Sequence, residues 1–380
     1  MASDPVDYDL HGLVGLRIEN GHPRDVTVVT RQLGPIRKPL DRPPDITIRF
    51  VERIGVSSTV RLIGVDDAAF TDDTFLILRG KQKARVRVLM PFDEIGGEHM
   101  TIVAEHGVPA IPHLLAIINL TASARGALPL HASAFHYRGV GALATGWAKG
   151  GKTETLLAFA ARGAHYVGDE WVYITPADGL MYGVPEPIRL WKWQLDQMPQ
   201  YRRAVAGSDR ARLAVMRAAT TGVDHLSEAP GLRRTAAGRL LRRVHPILAR
   251  QLSVQVPPER LFRGAPPAAA TRLQSVFFVG SHDAPDVVVE RVDPQEVASR
   301  MLFSLAEERS DFWRCYLQFL FAFPERRNPF LTTIEDREVL LLASALAGTT
   351  TYSVKHPYPF TISTLFDALS PILERGPGYE

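Results

Sequence analysis

A single cysteine, Cys315, rules out an internal disulfide, and no Cys/His group recurs at zinc-ligand spacing, so neither a disulfide-stapled scaffold nor a structural zinc module is expected. That usage fits a reducing, cytoplasmic setting. Long apolar runs are missing too. The densest, around His113 to Ala122, reaches about half of the roughly 20 residues that a membrane-spanning helix needs, and Arg125 follows it closely. The opening residues are acidic where a secretory leader would be basic and then apolar, so no export signal is expected. Charge of one sign is not in excess either: 44 Lys+Arg against 41 Asp+Glu gives +3, too little alone to argue for nucleic acid. Internal repeats and low-complexity tails are also lacking.

What is present suffices for a large core. At 380 residues and 46% apolar content the chain can build one large domain or two ordinary ones. Residues 26–30, 45–51, 74–78 and 84–89 carry β-branched alternation broken by Gly, Pro and Asp clusters, which predicts a β-rich N-terminal region over 1–108. The apolar spacing of 109–125 suits a buried helix. Two strands are expected at 128–135 and 139–145, then a helix over 153–162 stopped by Gly163. Short strands at 165–167 and 171–174 would flank Asp169-Glu170. Residues 200–264 hold thirteen arginines, no lysine and four acidic residues among Ala- and Leu-rich runs, read as a basic helical insertion rather than more sheet. Strand character returns at 273–280 and 286–292. Beyond it the chain reads as largely helical, apart from a Pro-rich turn at 324–329 and the run 350–354.

Gly146-Trp147-Ala148-Lys149-Gly150-Gly151-Lys152-Thr153 satisfies the phosphate-loop pattern G-x-x-x-x-G-K-[ST] at every fixed position. Backbone N–H groups along such a turn, from Gly146 through Lys149, Gly150 and Gly151, converge on an anion. The start of the following helix adds its positive end. Lys152 would reach the β- and γ-phosphates of ATP, and the Thr153 hydroxyl would help hold Mg²⁺. Phosphoryl transfer also needs a carboxylate for the metal and a group to orient or deprotonate the acceptor. Asp169 and Glu170, about 16 residues beyond Thr153, stand where one helix and a returning strand would bring them beside the loop.

Leu130-His131-Ala132-Ser133-Ala134, Gly139-Val140-Gly141, the loop itself, Glu154-Thr155, Arg162-Gly163 and Val167-Gly168-Asp169-Glu170 follow one another without a gap. Together they resemble the core of HPr kinase/phosphorylase and its kinase-like relatives. The resemblance covers about 40 residues. It implies an α/β fold with a phosphoenolpyruvate carboxykinase/HPr kinase-like P-loop core over 109–380, mainly at roughly 110–195 and 270–375, with the insertion at about 200–264. It further implies that Lys152 and Thr153 bind nucleotide phosphates and Mg²⁺, that Glu154 supports the metal region, and that Asp169 is the acceptor's general base or its orienter. Glu170 stands where the family commonly has a second aspartate, and His131 where it has a histidine near the transferred phosphate. Tyr182-Gly183-Val184-Pro185-Glu186-Pro187-Ile188-Arg189-Leu190 replaces the Arg-Gly-Leu-Gly-type signature of the true HPr-modifying enzymes. The implied acceptor is therefore a hydroxyl on a peptide, another protein or a small alcohol, as in the looser relatives that phosphorylate precursor peptides. Such relatives are often homo-oligomers.

Arg233-Arg234, Arg239, Arg242-Arg243 and Arg250 recur at spacings that put several on one helical face, with Leu240, Leu241, Val244, Ile247 and Leu248 on another. A solvated amphipathic helix and a landing site for an acidic peptide, protein or anionic membrane both fit. Arg189, beside Trp191 and Trp193, is a candidate acceptor-binding or charge-neutralising residue, or an arginine packed on aromatics. Lys355 and His356 are weaker candidates. The leading expectation is an ATP- and Mg-dependent kinase; the alternative is a nucleotide-binding regulatory or scaffolding protein that performs no transfer.

Overall fold

The computed structural model describes residues 4–34, 36–56, 59–62, 68–79, 85–184, 186–228, 235, 239–240, 243, 245, 248, 251–262, 270–358 and 361–374. The chain is mixed α/β, built on two large mixed sheets and one two-stranded ribbon.

The first sheet has eight strands, in spatial order Val6–Leu10, Val14–Glu19, Ile46–Val51, Met100–Glu105, Arg85–Pro91, Thr74–Arg79, Ala68–Phe70 and Arg61–Leu62. Val14–Glu19, Ile46–Val51 and Met100–Glu105 are parallel to one another, and the remaining pairs are antiparallel. The β-branched run at 26–30, expected as a strand, lies instead in the helix Pro23–Leu33. Pro23 sits at the first helical turn, where its missing N–H costs nothing, and Asp25 accepts the His22 backbone N–H at 3.0 Å. Asp25, Val29 and Leu33 are buried at four-residue intervals, so a helical period ran beneath the β-branched composition.

Nine strands form the second sheet. Its path runs Thr271–Arg272, Leu180–Gly183, Trp171–Thr175, Leu128–Tyr137, Val140–Thr145, Ser275–His282, Thr350–Pro357 and Val288–Arg291, with His165–Gly168 also paired to Leu128–Tyr137. Val140–Thr145, Ser275–His282 and Thr350–Pro357 are parallel, so their carboxyl ends share one edge, the usual ligand-binding edge of such sheets. Val140–Thr145 is buried on both faces. Ala142 and Ala144 pack with Phe159 and Leu365, and Leu143 with Met301 and Leu342 on the other side. The helices Lys152–Ala160 and Ile362–Glu374 thus cover one face, and Pro294–Glu308 and Ile334–Leu346 the other.

The two sheets are tied through one core. The helix Leu114–Ala124 packs with the N-terminal sheet, as do Phe312, Tyr316 and Phe319 of the helix Ser310–Ala322 and Tyr173 of the second sheet. Buried polar groups fix the join. Asn328 Nδ2 donates to the Phe92 and Ile95 carbonyls at 2.6 and 2.9 Å, and Tyr173 Oη donates to Asn119 Oδ1 at 2.7 Å.

The basic insertion is helical over Gly207–Glu228 but is not free of sheet. Ser253–Val256 pairs antiparallel with Ile188–Trp191, and Arg212 Nη2 donates to the Ser253 carbonyl at 2.7 Å, pinning the helix to the ribbon. Alternating Val254 and Val256 are buried there, a period-2 signal too short to stand out among helical runs. Of the expected arginine face, Arg233, Arg234, Arg242 and Arg250, with Leu241, Val244 and Ile247, lie outside the described residues. Arg239 and Arg243 are exposed, and so is Leu240, expected on the apolar face. Among the described residues no helix is long and apolar enough to cross a membrane.

Candidate functional site

The phosphate-loop motif occupies the carboxyl edge of the second sheet. Thr145 ends a parallel strand, residues 146–151 turn, and Lys152–Ala160 leaves as a helix. The turn needs its glycines. Gly146 and Gly151 have φ of +146° and +104°, and Lys149 also sits in the left-handed region at +64° with its side chain in solvent. A Cβ on Gly146 would stand 2.3 Å from the Val279 carbonyl oxygen, and one on Gly151 2.6 Å from His356 Nε2. Those neighbours come from the adjacent parallel strands, so the sheet itself moulds the loop. His356 is fully buried, and its Nε2 lies 2.8 Å from the Gly150 carbonyl. Lys152 Nζ donates to the carbonyls of Gly146 and Trp147 at 3.2 and 3.1 Å.

Asp169 and Glu170 bridge His165–Gly168 and Trp171–Thr175, both paired to Leu128–Tyr137. The bridge is a tight three-residue turn: the Trp171 N–H reaches the Asp169 carbonyl at 2.9 Å, with Glu170 at φ +68°. A non-glycine residue there costs on the order of 1–3 kcal/mol. The turn separates the two carboxylates. Asp169 is buried and Glu170 is half exposed.

On the partner strand, His131 and Ser133 lie two residues apart and so share a face. Ser133 Oγ donates to Asp169 Oδ1 at 2.5 Å, and Thr153 Oγ1 lies 3.2 and 3.3 Å from the two carboxylate oxygens. Burial drives the Asp169 pKa up to about 7; the Ser133 and Thr153 hydrogen bonds oppose the rise, and the neighbouring charges of Glu170 and Glu154 add to it. His131 is held between two carboxylates, Glu170 at 2.9 Å from Nε2 and Glu308 against Nδ1. Burial disfavours the imidazolium, but Glu170 and Glu308 outweigh it and raise the pKa to about 9. His131 is thus a fixed cation at neutral pH. The same contact, ahead of an opposing burial effect, lowers the Glu170 pKa, with Lys152 and Arg189 adding to the lowering. Burial lowers the Lys152 pKa against the pull of Glu308, Glu170, Asp169 and Glu154. Burial and the charges of Glu170 and Asp169 push Glu186 to about 7.

Of the sequence candidates, Lys152, Thr153, Asp169, Glu170 and His131 meet in one place, with Glu154 beside them, its Oε1 accepting from Gln194 Nε2 at 2.7 Å. Arg189 is exposed on Ile188–Trp191, close enough to act on Glu170. Of the two weaker candidates, His356 lies buried against the loop and Lys355 is exposed, and Ser133, Glu308 and Glu186 complete the cluster. The two-residue step from His131 is a signal that could have singled out Ser133, whereas Glu308, 177 residues from His131, left no local signal. A scan of the chain against models of known protein families finds no match, and no curated protein is significantly similar to it.

Hydroxyl and carboxylate oxygens gathered beside a phosphate loop are hard donors suited to Mg²⁺. The charge balance agrees with that choice. Asp169, Glu170, Glu154 and Glu308 all act on Lys152, and of the described cations Lys152 itself, His131 and the exposed Arg189 stand against them.

Proposed function

We propose that the chain is an ATP- and Mg-dependent phosphotransferase that moves the γ-phosphoryl group to a hydroxyl on a peptide, protein or small alcohol, through an HPr kinase-like core. The observation that carries the proposal is Asp169, a buried carboxylate with its pKa near 7, bonded to the hydroxyl of the residue that follows the loop lysine. A general base works best with a pKa close to the operating pH, and a phosphate loop beside it supplies the electrophile.

In this reading Lys152 exchanges the Gly146 and Trp147 carbonyls for β- and γ-phosphate oxygens, and the loop N–H groups hold the same phosphates. Thr153 and Asp169, with Glu154 nearby, would hold Mg²⁺, which when bound would supply charge that neutralises the phosphate oxygens. Asp169 Oδ1 accepts from Ser133 at 2.5 Å while Thr153 Oγ1 lies 3.2 and 3.3 Å from the two oxygens, so Oδ2, the less engaged one, takes the proton of the acceptor hydroxyl. The hydroxyl oxygen forms its bond to the γ-phosphorus in line as the bond to the β-phosphate oxygen breaks, releasing ADP. His131 has both ring nitrogens committed and its charge fixed, so it serves as a local cation and as the brace that orients Glu170 and Glu308, not as the base. Arg189, at the exposed rim, can meet the acceptor or its charge.

The test is to incubate the chain with γ-labelled ATP, Mg²⁺ and pooled candidate acceptors, then separate labelled organic phosphate from inorganic phosphate. Label should appear in an acceptor and vanish with Lys152→Ala. Label only in inorganic phosphate, or an unaffected Lys152→Ala, overturns the proposal. ATP binding with no labelled product would leave the non-catalytic nucleotide-binding reading.

A further inference from the structure

The first sheet repeats the parallel arrangement that, in the second, carries the phosphate-loop motif at the carboxyl edge. Val14–Glu19, Ile46–Val51 and Met100–Glu105 run parallel, and the chain leaves the carboxyl ends of all three at one edge. Glu52 and His106 directly follow the paired residues Val51 and Glu105, and the His106 N–H donates to the Val51 carbonyl at 3.0 Å. His22 comes three residues after Glu19, immediately before the helix Pro23–Leu33. His22, Glu52 and His106 each offer one ligand atom, and these atoms all lie within 4.8 Å of one another.

A second observation gives this cluster its chemistry. Asp25, 1% exposed, accepts from His106 Nδ1 at 2.7 Å, from the Gly107 N–H at 3.0 Å and from the His22 N–H at 3.0 Å. An acceptor on Nδ1 fixes the tautomer of His106 and leaves Nε2 with a lone pair to give, the arrangement by which a carboxylate orients a metal-bound histidine. The helix N-terminus alone would favour an anion, but the Asp25 and Glu52 carboxylates stand in the way of one. Two imidazoles with one carboxylate suit zinc-class ions rather than Mg²⁺ or Ca²⁺.

We infer that His22, Glu52 and His106 form a mononuclear site for a divalent transition metal of the zinc class, with Asp25 orienting His106 and a fourth position left for water or a ligand. Tetrahedral coordination with bonds of about 2.0–2.1 Å places ligand atoms roughly 3.4 Å apart, so from separations within 4.8 Å the cluster must contract by up to about 1.4 Å. The rings of His22 and His106 lie face to face with centroids 3.9 Å apart, and His22 has to swing to share a target with His106. Since His22 and Glu52 are exposed, the movement disturbs no core. Their separation in sequence, 30 and 84 residues from His22, hides the site from any spacing rule. Once bound, the metal would clasp the start of Pro23–Leu33 to the ends of two strands.

The inference is independent of the phosphotransferase reading and is tested without nucleotide. The tag-free full-length chain, stripped with EDTA, is titrated with Co²⁺ while its visible d–d absorption is followed, and Zn²⁺ is then added as competitor. One equivalent should bind with the intense bands of tetrahedral cobalt and be displaced by Zn²⁺. His22→Ala should weaken binding at least 100-fold while melting like the parent in EDTA, and Asp25→Asn should weaken it 10–100-fold. His282→Ala and His131→Ala should bind like the parent. Equal binding by His22→Ala and the parent, or weak octahedral-type bands in the parent, would overturn the inference.

Discussion

Replacing Asp169 with asparagine should make the protein more stable while stopping transfer. In the folded chain burial, the leading cause, pushes this carboxyl up to about 7 from its ordinary 3.8. A raised carboxyl pKa means that the native state binds the proton more tightly than the unfolded chain. The contribution of this one group to stability is therefore highest below pH 3.8, falls as pH rises to about 7, and stays low above. At about 1.4 kcal/mol for each unit, the buried anion costs up to roughly 4 kcal/mol at pH 8. Asparagine keeps an oxygen to accept from Ser133 and carries no charge. Part of the gain is lost where its NH₂ meets groups arranged for an oxygen, so Asp169→Asn should gain roughly 1–3 kcal/mol at pH 8 and much less at pH 4.5. Urea midpoints of both proteins at the two pH values read this out. A variant less stable than its parent at pH 8, or a difference that does not change with pH, would refute the burial argument.

Glu308→Gln removes one of the two carboxylates that hold His131 near 9, so the histidine should titrate closer to 6.5, as read by NMR of the ring protons. The stability from this raised pKa is complete below about 6.5 and lost as pH rises through about 9, so the deficit of Glu308→Gln should shrink above pH 9. Gly151→Ala combines φ +104° with a Cβ 2.6 Å from buried His356 and should cost on the order of 2–4 kcal/mol. Gly163→Ala, at φ +88° with nothing within 4 Å of its Cβ, should cost about 1 kcal/mol, so equal losses in denaturant midpoint would contradict the clash. Because carboxylates outnumber cations around Lys152, calorimetry should find ATP bound at least tenfold more weakly in EDTA than with Mg²⁺.

The loop, its strand and its helix could be read in the sequence because four adjacent features agreed there: an apolar run, glycines, a lysine and a helical run. Asp169 was legible because its turn is short and its flanking strands are apolar. What lay hidden depends on pairing between distant segments. Glu308 reaches His131 only because Pro294–Glu308 covers the face of the sheet opposite Lys152–Ala160. The helix Pro23–Leu33 was masked by its β-branched run although burial recurs every four residues at Asp25, Val29 and Leu33, and Val254 and Val256 were lost in a composition dominated by arginine, alanine and leucine. Strand alternation also missed Val6–Leu10, where Asp7 and Asp9 take the half-buried positions, and Met100–Glu105, where Val103 interrupts the polar period of Thr101 and Glu105.

The fate of the γ-phosphate in Asp169→Asn bears most directly on the central claim. With Mg²⁺ and γ-labelled ATP both saturating for each protein, this variant should pass label to the acceptor at least 100-fold more slowly than the parent, the size of effect expected for a lost general base. Transfer at the parent's rate would contradict the assignment of Asp169 as the group that takes the acceptor's proton.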